Sequence, residues 1–282
     1  VPLTPALLEL LTRATADPRV SLAEADALAL ARQYGARGVR VKPSALSLRL
    51  ADAVTGDILP ADVKQAETRL ARQLRTHPAT LGQRLVRASN AERQRHSDAL
   101  QDAFERDARR LASELATSGD VATWQRKMGA RVIQHLVEQR TLGAARPLRD
   151  SERRQMAATV REQTAYLSRF ADEVAVRALQ GKPLSEAAIA QRAAQYGGVG
   201  RAAFYTGMEG SATTQRGYVA RYRSVDSPTT CSRCHAAEGY YLVGSGPLPG
   251  EVCLGRHRCR CQRIIEYNPE IYDKLLRQAR IA

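Results

Sequence analysis

Cys231-Ser-Arg-Cys234 … Cys253-Leu-Gly-Arg-His257-Arg-Cys259-Arg-Cys261 holds every cysteine of the 282-residue chain. A C-x2-C pair followed by a second cysteine cluster supplies thiolates at the spacing a tetrahedral Zn2+ needs, whereas a disulfide framework ties together distant parts of a small secreted chain. The stretch predicts a structural zinc site with Cys231, Cys234, Cys253, Cys259 and Cys261 as candidate ligands. Four ligands close such a site, so five thiols with His257 nearby offer more donors than positions, and no open, water-bearing position is required. Two other readings fit the same residues: partial disulfide bonding in an oxidising compartment, or Cys259 and Cys261 as small apolar residues on a strand. His235 and His257 are weaker ligand candidates, because a histidine among loop arginines is also readily explained by solvation.

The flanks of this stretch read as a small sheet. Gly217 to Val225 alternates Arg221, Arg223 and Val225 against Tyr222 and Ser224, the period of a strand, and leads to Asp226. Tyr240-Tyr-Leu-Val243 is a second strand candidate, Gly244 to Gly250 is rich in turn residues, and Arg260 to Ile265 is a third strand. Pro269 to Ala282 reads as a short helix. So few apolar side chains cannot stabilise a core alone, which is the physical reason for a metal staple.

Further upstream the apolar period becomes helical. Thr4-Pro5, the capping box Ser21-Leu-Ala-Glu24 and Pro43-Ser44 each open a helix, and Pro60-Ala-Asp62 opens another that carries Val63, Ala66, Leu70 and Leu74 on one face. From Ser89 to Ser118 the stripe is Ala99, Leu100, Ala103, Phe104, Ala108, Leu111 and Leu115, ending at Gly119. Asp120 starts a helix through Trp124, Met128, Val132, Ile133, Leu136 and Val137, in which the lone tryptophan is read as core. Asp150 to Gly181 and Ser185 to Gly198 follow as helices. Residues 199–216 also look helical, although Gly200, Gly207 and Gly210 weaken that reading. The expected fold is mainly α: an irregular multi-helix bundle with a small C-terminal zinc-stapled α+β module. Its expected parts are residues 1–120, 121–216 and 217–282, with Gly143-Ala-Ala-Arg-Pro147 as a linker.

Composition narrows the function classes. The net charge of +14 comes almost wholly from arginine and suits an acidic partner, either phosphate backbone or an acidic protein surface. Arginine interleaved with Glu and Asp along helices is equally the pattern of a solvated face. No run of 18 apolar residues occurs, and Val1-Pro-Leu-Thr-Pro5 lacks the features of a signal peptide, so a soluble chain with reduced thiols and no membrane association is expected.

Tyr222, Asp226, Cys231-Ser-Arg-Cys234, Gly239, the loop Pro247 to Gly250 and the closing Cys259-Arg-Cys261 together resemble the phage Mu F-like minor head proteins, also called head morphogenesis proteins. The resemblance is sharpest over residues 217–265 and extends more loosely back to about Asp120, through Gln163 to Phe170 and Arg192 to Tyr196. Two positions depart from the family pattern. Arg256 stands where the family commonly has histidine, with His257 one place late, and Tyr222 stands where tryptophan is frequent. Cys253 is then the candidate third ligand, between Cys231 and Cys234 on one side and Cys259 or Cys261 on the other, with Arg258 and Arg260 near the thiolates.

The resemblance implies a structural role. Such a chain is made in a bacterial host cytoplasm and located in the virion, at the capsid or portal vertex. Its partners would be the portal or major capsid protein, with packaged DNA as a further candidate and no small-molecule substrate. An exposed apolar stripe near Phe104 or Leu136 is the docking feature to look for. The alternative is a nucleic-acid-binding zinc protein using Arg216, Arg221, Arg223, Arg256, Arg258, Arg260 and Arg263. An enzyme is not expected: Glu238 and Glu251 are the available bases near the cysteines, and both read as turn residues.

Overall fold

The computed structural model describes residues 60–212, 216–225, 230–253 and 259–281. The helices expected before Pro60 lie outside these residues, as do Asp226, Gly255, Arg256, His257 and Arg258. The fold is mainly α with one small antiparallel sheet near the C-terminal end, where the cysteines gather.

The helices begin and end where local chemistry dictates. Helix α1 (Pro60–Gln73) buries Val63, Ala66 and Leu70, and Leu74 just beyond it is buried too. His77 then caps a 3-10 turn (Pro78–Thr80) by accepting the Ala79 N–H at 3.2 Å. Helix α2 (Leu81–Arg87) leads to α3 (Asn90–Ser118), whose first turn is closed by the Glu92 N–H donating to Ser89 Oγ at 3.1 Å. Asp120 likewise accepts the Thr123 N–H at 3.0 Å at the start of α4 (Val121–Ala144). Helices α5 (Asp150–Leu179), α6 (Glu186–Ala194) and α7 (Gly197–Ala212) complete the helical part.

Two compact units interleave along the chain. In the first, described over Glu105–Ile133 and Ser151–Ala194, Trp124 lies edge-on to Phe170 with ring centroids 5.8 Å apart, so the lone tryptophan is core. Arg131 Nε donates to Asp107 at 2.6 Å and Gln125 to Ser168 at 2.9 Å, joining α4 to α3 and to α5.

The second unit comprises Ala61–Phe104, Gln134–Asp150 and the chain from Gln195 onward. Its helical core gathers Leu70, Leu74, Leu81, Leu85, Leu100, Leu142, Phe204 and Tyr205. The second half of α4 is buried on every side, His135 to Ala144, and not along one stripe as an amphipathic reading expects. Its polar side chains are accommodated by partners: Gln139 accepts from Ser97 Oγ at 2.7 Å and donates to the Ser97 carbonyl at 3.0 Å, and Glu138 meets Arg69 at 3.4 Å. On α3 the buried face therefore includes Ser97 and Gln101, while Ala99 of the expected stripe is exposed. Phe104 and Leu136 are fully buried, so neither supplies the exposed docking feature looked for around them.

Helix α7 crosses α4 at glycines. A Cβ at Gly143 would stand 1.9 Å from the Phe204 carbonyl oxygen, and one at Gly207 would stand 2.6 Å from the Arg140 oxygen. Of the glycines that weaken the helical reading of this segment, Gly207 is thus required by backbone contact, and Gly200 leaves room for the His135 ring. Gly143→Ala is expected to lower stability by about 1–3 kcal/mol or more through this overpacking, read as a lower denaturant midpoint at unchanged m-value.

The sheet belongs to the second unit, in the order β2 (Gly239–Leu242), β1 (Tyr218–Arg223), β3 (Gln262–Tyr267), all antiparallel. Tyr222 opposes Gly239 on one side and Arg263 on the other, while Arg221 opposes Tyr240 and Ile264. Along β1, Tyr222 is buried and Arg221 and Arg223 are exposed, the expected alternation. Between β1 and β2 stands a short helix, α8 (Ser232–Ala236), and α9 (Pro269–Ile281) closes the chain against β1 and β2.

Candidate metal centre

Cys231 is the cap residue of α8, and one helical turn brings the Cys234 sulfur to 3.4 Å from the Cys231 sulfur. The loop after β2 delivers Cys253, whose sulfur lies 3.9 Å from that of Cys231. Cys259 and Cys261 enter from the segment that runs into β3, and both are buried. The sulfurs fall into two sets, Cys231, Cys234, Cys253 and Cys234, Cys259, Cys261, in each of which all lie within 4.8 Å of one another. Cys234 belongs to both. Metal–sulfur bonds of about 2.3 Å in a tetrahedron place thiolates about 3.8 Å apart, so this arrangement can hold a metal ion, and its all-thiol donor set suits a thiophilic one. No family model, curated protein or solved structure matches the chain.

The surroundings explain why the cluster favours a cation. Burial, then the neighbouring Cys253, pushes the Cys259 thiol up to about 12. Burial also raises Cys234, with its sulfur neighbours adding to the effect. Burial thus opposes charge on Cys234 and Cys259, and a bound metal ion inverts that balance by stabilising thiolates. Donors are already in place: the Tyr222 hydroxyl lies 3.4 Å from the Cys234 sulfur, and the backbone N–H groups of Cys261 and Gly250 serve Cys259. Gly250, at φ +87°, has no room for a side chain, because a Cβ would meet the Gly198 carbonyl oxygen at 2.5 Å. The loop Pro247 to Gly250 is therefore packed directly on α7.

Sequence reasoning missed what α7 contributes. Arg201, Tyr205 and Glu209 follow one another at four-residue spacing, hence on one helical face, and each meets the C-terminal segment. The Tyr205 hydroxyl lies 3.3 Å from the Cys261 carbonyl and 2.9 Å from Gln94 Oε1 on α3. Glu209 accepts the Gly244 N–H at 2.7 Å and forms an ion pair with Arg263 Nε. Arg263 also donates to the carbonyls of Pro247, at 2.7 Å, and Ser245. The detectable signal was the Arg-x3-Tyr-x3-Glu spacing within a glycine-rich helix.

The remaining candidates separate by exposure. Arg263 is 2 % exposed and fully engaged, which removes it from any phosphate-binding surface. Arg216, Arg221 and Arg223 are exposed, Arg221 lying over the Tyr240 ring at 5.5 Å, and Arg260 pairs with Asp102 at 3.5 Å. His235 faces solvent on α8. Glu251 is exposed on a turn, and Glu238 accepts the Ser224 N–H at 3.1 Å as well as its hydroxyl. Among the described residues no helix is long and apolar enough to cross a membrane.

Proposed function

We propose that this chain is a structural, non-enzymatic minor head protein of a tailed phage or prophage, associated with portal or capsid protein, with a structural Zn2+ held by Cys231, Cys234, Cys253 and either Cys259 or Cys261. The convergence of all five sulfurs into overlapping sets carries the metal part of this reading. Zinc suits it because four thiolates close a tetrahedral site without demanding redox chemistry or an open position. The head-protein part is supported by the residues of the resemblance: Tyr222, the Cys231 and Cys234 pair, Cys259 and Cys261 gather at one centre, Gly250 of the Pro247 to Gly250 loop serves Cys259, and Gly239 pairs with Tyr222 in the sheet. Glu238 and Glu251 are placed as turn and strand-end residues, which favours a structural over a hydrolytic centre.

A second reading, phosphate-backbone binding, is favoured by the adjacent exposed Arg221 and Arg223 on β1 with Arg216 before them. The two readings part in one experiment. Purified under reducing conditions together with a tailed-phage portal protein, the chain should carry one zinc by elemental analysis and co-purify with portal. Zinc without portal, together with salt-dependent DNA binding, would transfer the function to the second reading. A folded, reduced chain without metal would overturn the centre itself.

A further inference from the structure

Arg201 on α7 is among the most deeply buried side chains described, 1 % exposed. Its Nη2 donates to the Asp98 carboxylate on α3, which is itself 41 % exposed at the side chain. Its Nε–H is buried with no hydrogen-bond partner. The cysteine centre lies beside it: the favourable charge interactions of Arg201 are with Tyr205 and Asp98 first and with Cys259 after them, and Gly250, which gives its N–H to Cys259, would meet the Arg201 Cβ at 3.2 Å if it carried a side chain. Burial opposes the Arg201 charge and Tyr205, Asp98 and Cys259 together outweigh that opposition, but a buried N–H without an acceptor remains costly.

The cost is offset once the cluster is charged. A divalent ion bound by four thiolates leaves two net negative charges, and such centres draw N–H and cationic donors from the residues around them. The other arginines in reach are committed elsewhere among the described residues: Arg263 to Glu209 and two carbonyls, and Arg260 to Asp102 at the surface. We propose that Arg201 is the buried counter-charge of the cysteine centre, a positioning residue that holds no metal but offsets the negative charge of the centre when an ion is bound. This rests on the metal reading above and is independent of the portal assignment. It also gives the Arg201, Tyr205, Glu209 stripe one purpose, because the three residues bind the metal segment by charge, carbonyl and ion pair along a single helix.

The test uses the full chain loaded with Zn2+ or Co2+ and a chromophoric chelator as competitor. Arg201→Met should keep one metal per chain and an unchanged thiolate-to-cobalt absorption, yet bind zinc about tenfold more weakly, the lower end of the range for loss of a supporting residue. Arg201→Lys, which keeps the charge, should recover part of that loss. Asp98→Asn frees the guanidinium from its competing anion and should leave zinc affinity at or above the native value. Native zinc affinity in Arg201→Met overturns the proposal, as does an altered cobalt absorption, which would make Arg201 a scaffold for the ligand loop. Weakening by Asp98→Asn equal to that by Arg201→Met overturns it too, since the ion pair would then act only as a brace. If Arg201→Met does not fold, Asp98→Asn decides alone, affinity at or above native supporting the proposal and affinity below it overturning it. A native chain that binds no metal removes the metal reading and this proposal together, whereas native zinc binding with an unaffected Arg201→Met removes this proposal only.

Discussion

Cys234→Ser is expected to leave the reduced chain without stoichiometric metal and to unfold the segment from β1 to β3. Cys234 is the sulfur common to both close sets, is buried, and sits under the Tyr222 hydroxyl. Serine offers a hard, neutral oxygen where the ion needs a thiolate, and it removes the sulfur through which the two sets overlap. Structural zinc contributes roughly 10–16 kcal/mol of apparent binding free energy, which in a segment this poor in apolar side chains is also folding free energy. The measurements are metal per chain and limited proteolysis: the variant should lose its metal and become cleavable between Tyr218 and Tyr267, the ends of the sheet. The pair Cys259→Ser and Cys261→Ser names the fourth ligand, because the non-ligand variant keeps one metal per chain. Native metal content in Cys234→Ser would overturn the assignment of the centre.

Glu209→Ala should be the most damaging change outside the cysteines, at about 3–5 kcal/mol, because it strands the buried Arg263 guanidinium without its counter-charge. The same deletion takes away the acceptor of the Gly244 N–H, so the turn after β2 loses its anchor on α7. Arg263→Met in the same background should recover part of the loss, since removing both charges is far cheaper than removing one. Chemical denaturation of the two single variants and the double variant measures this directly. A single-variant cost below about 1 kcal/mol, the range of an exposed pair, would mean that water reaches the ion pair and that α7 does not brace the module this way.

Much of this architecture was legible in local spacing. Val63, Ala66, Leu70 and Leu74 are buried as their period predicts, Ser89 and Asp120 cap the helices they precede, and the strands at Tyr218, Gly239 and Gln262 begin within two residues of their expected places. The cysteines converge where C-x2-C and C-R-C imply. The role of Arg263 was misread because exposure depends on what covers a residue, and Arg263 does not announce its neighbours in the sequence. Ser97, Gln101, Glu138 and Gln139 are buried although no apolar period marks them, because polar side chains are costly to bury and only their partners offset that.

Period, capping and thiol spacing, all set within a few residues, determine by themselves that this chain is helical for most of its length and ends in a cysteine-centred sheet. Tertiary packing alone decides that α7 is the hinge of the arrangement. Its Gly207 admits the α4 backbone, and its Arg201, Tyr205 and Glu209 reach Asp98, Gln94, Cys261 and Arg263. Close approach and burial of charge are properties of two surfaces at once, and the second surface here is supplied by residues many tens of positions away, where no local pattern can register it.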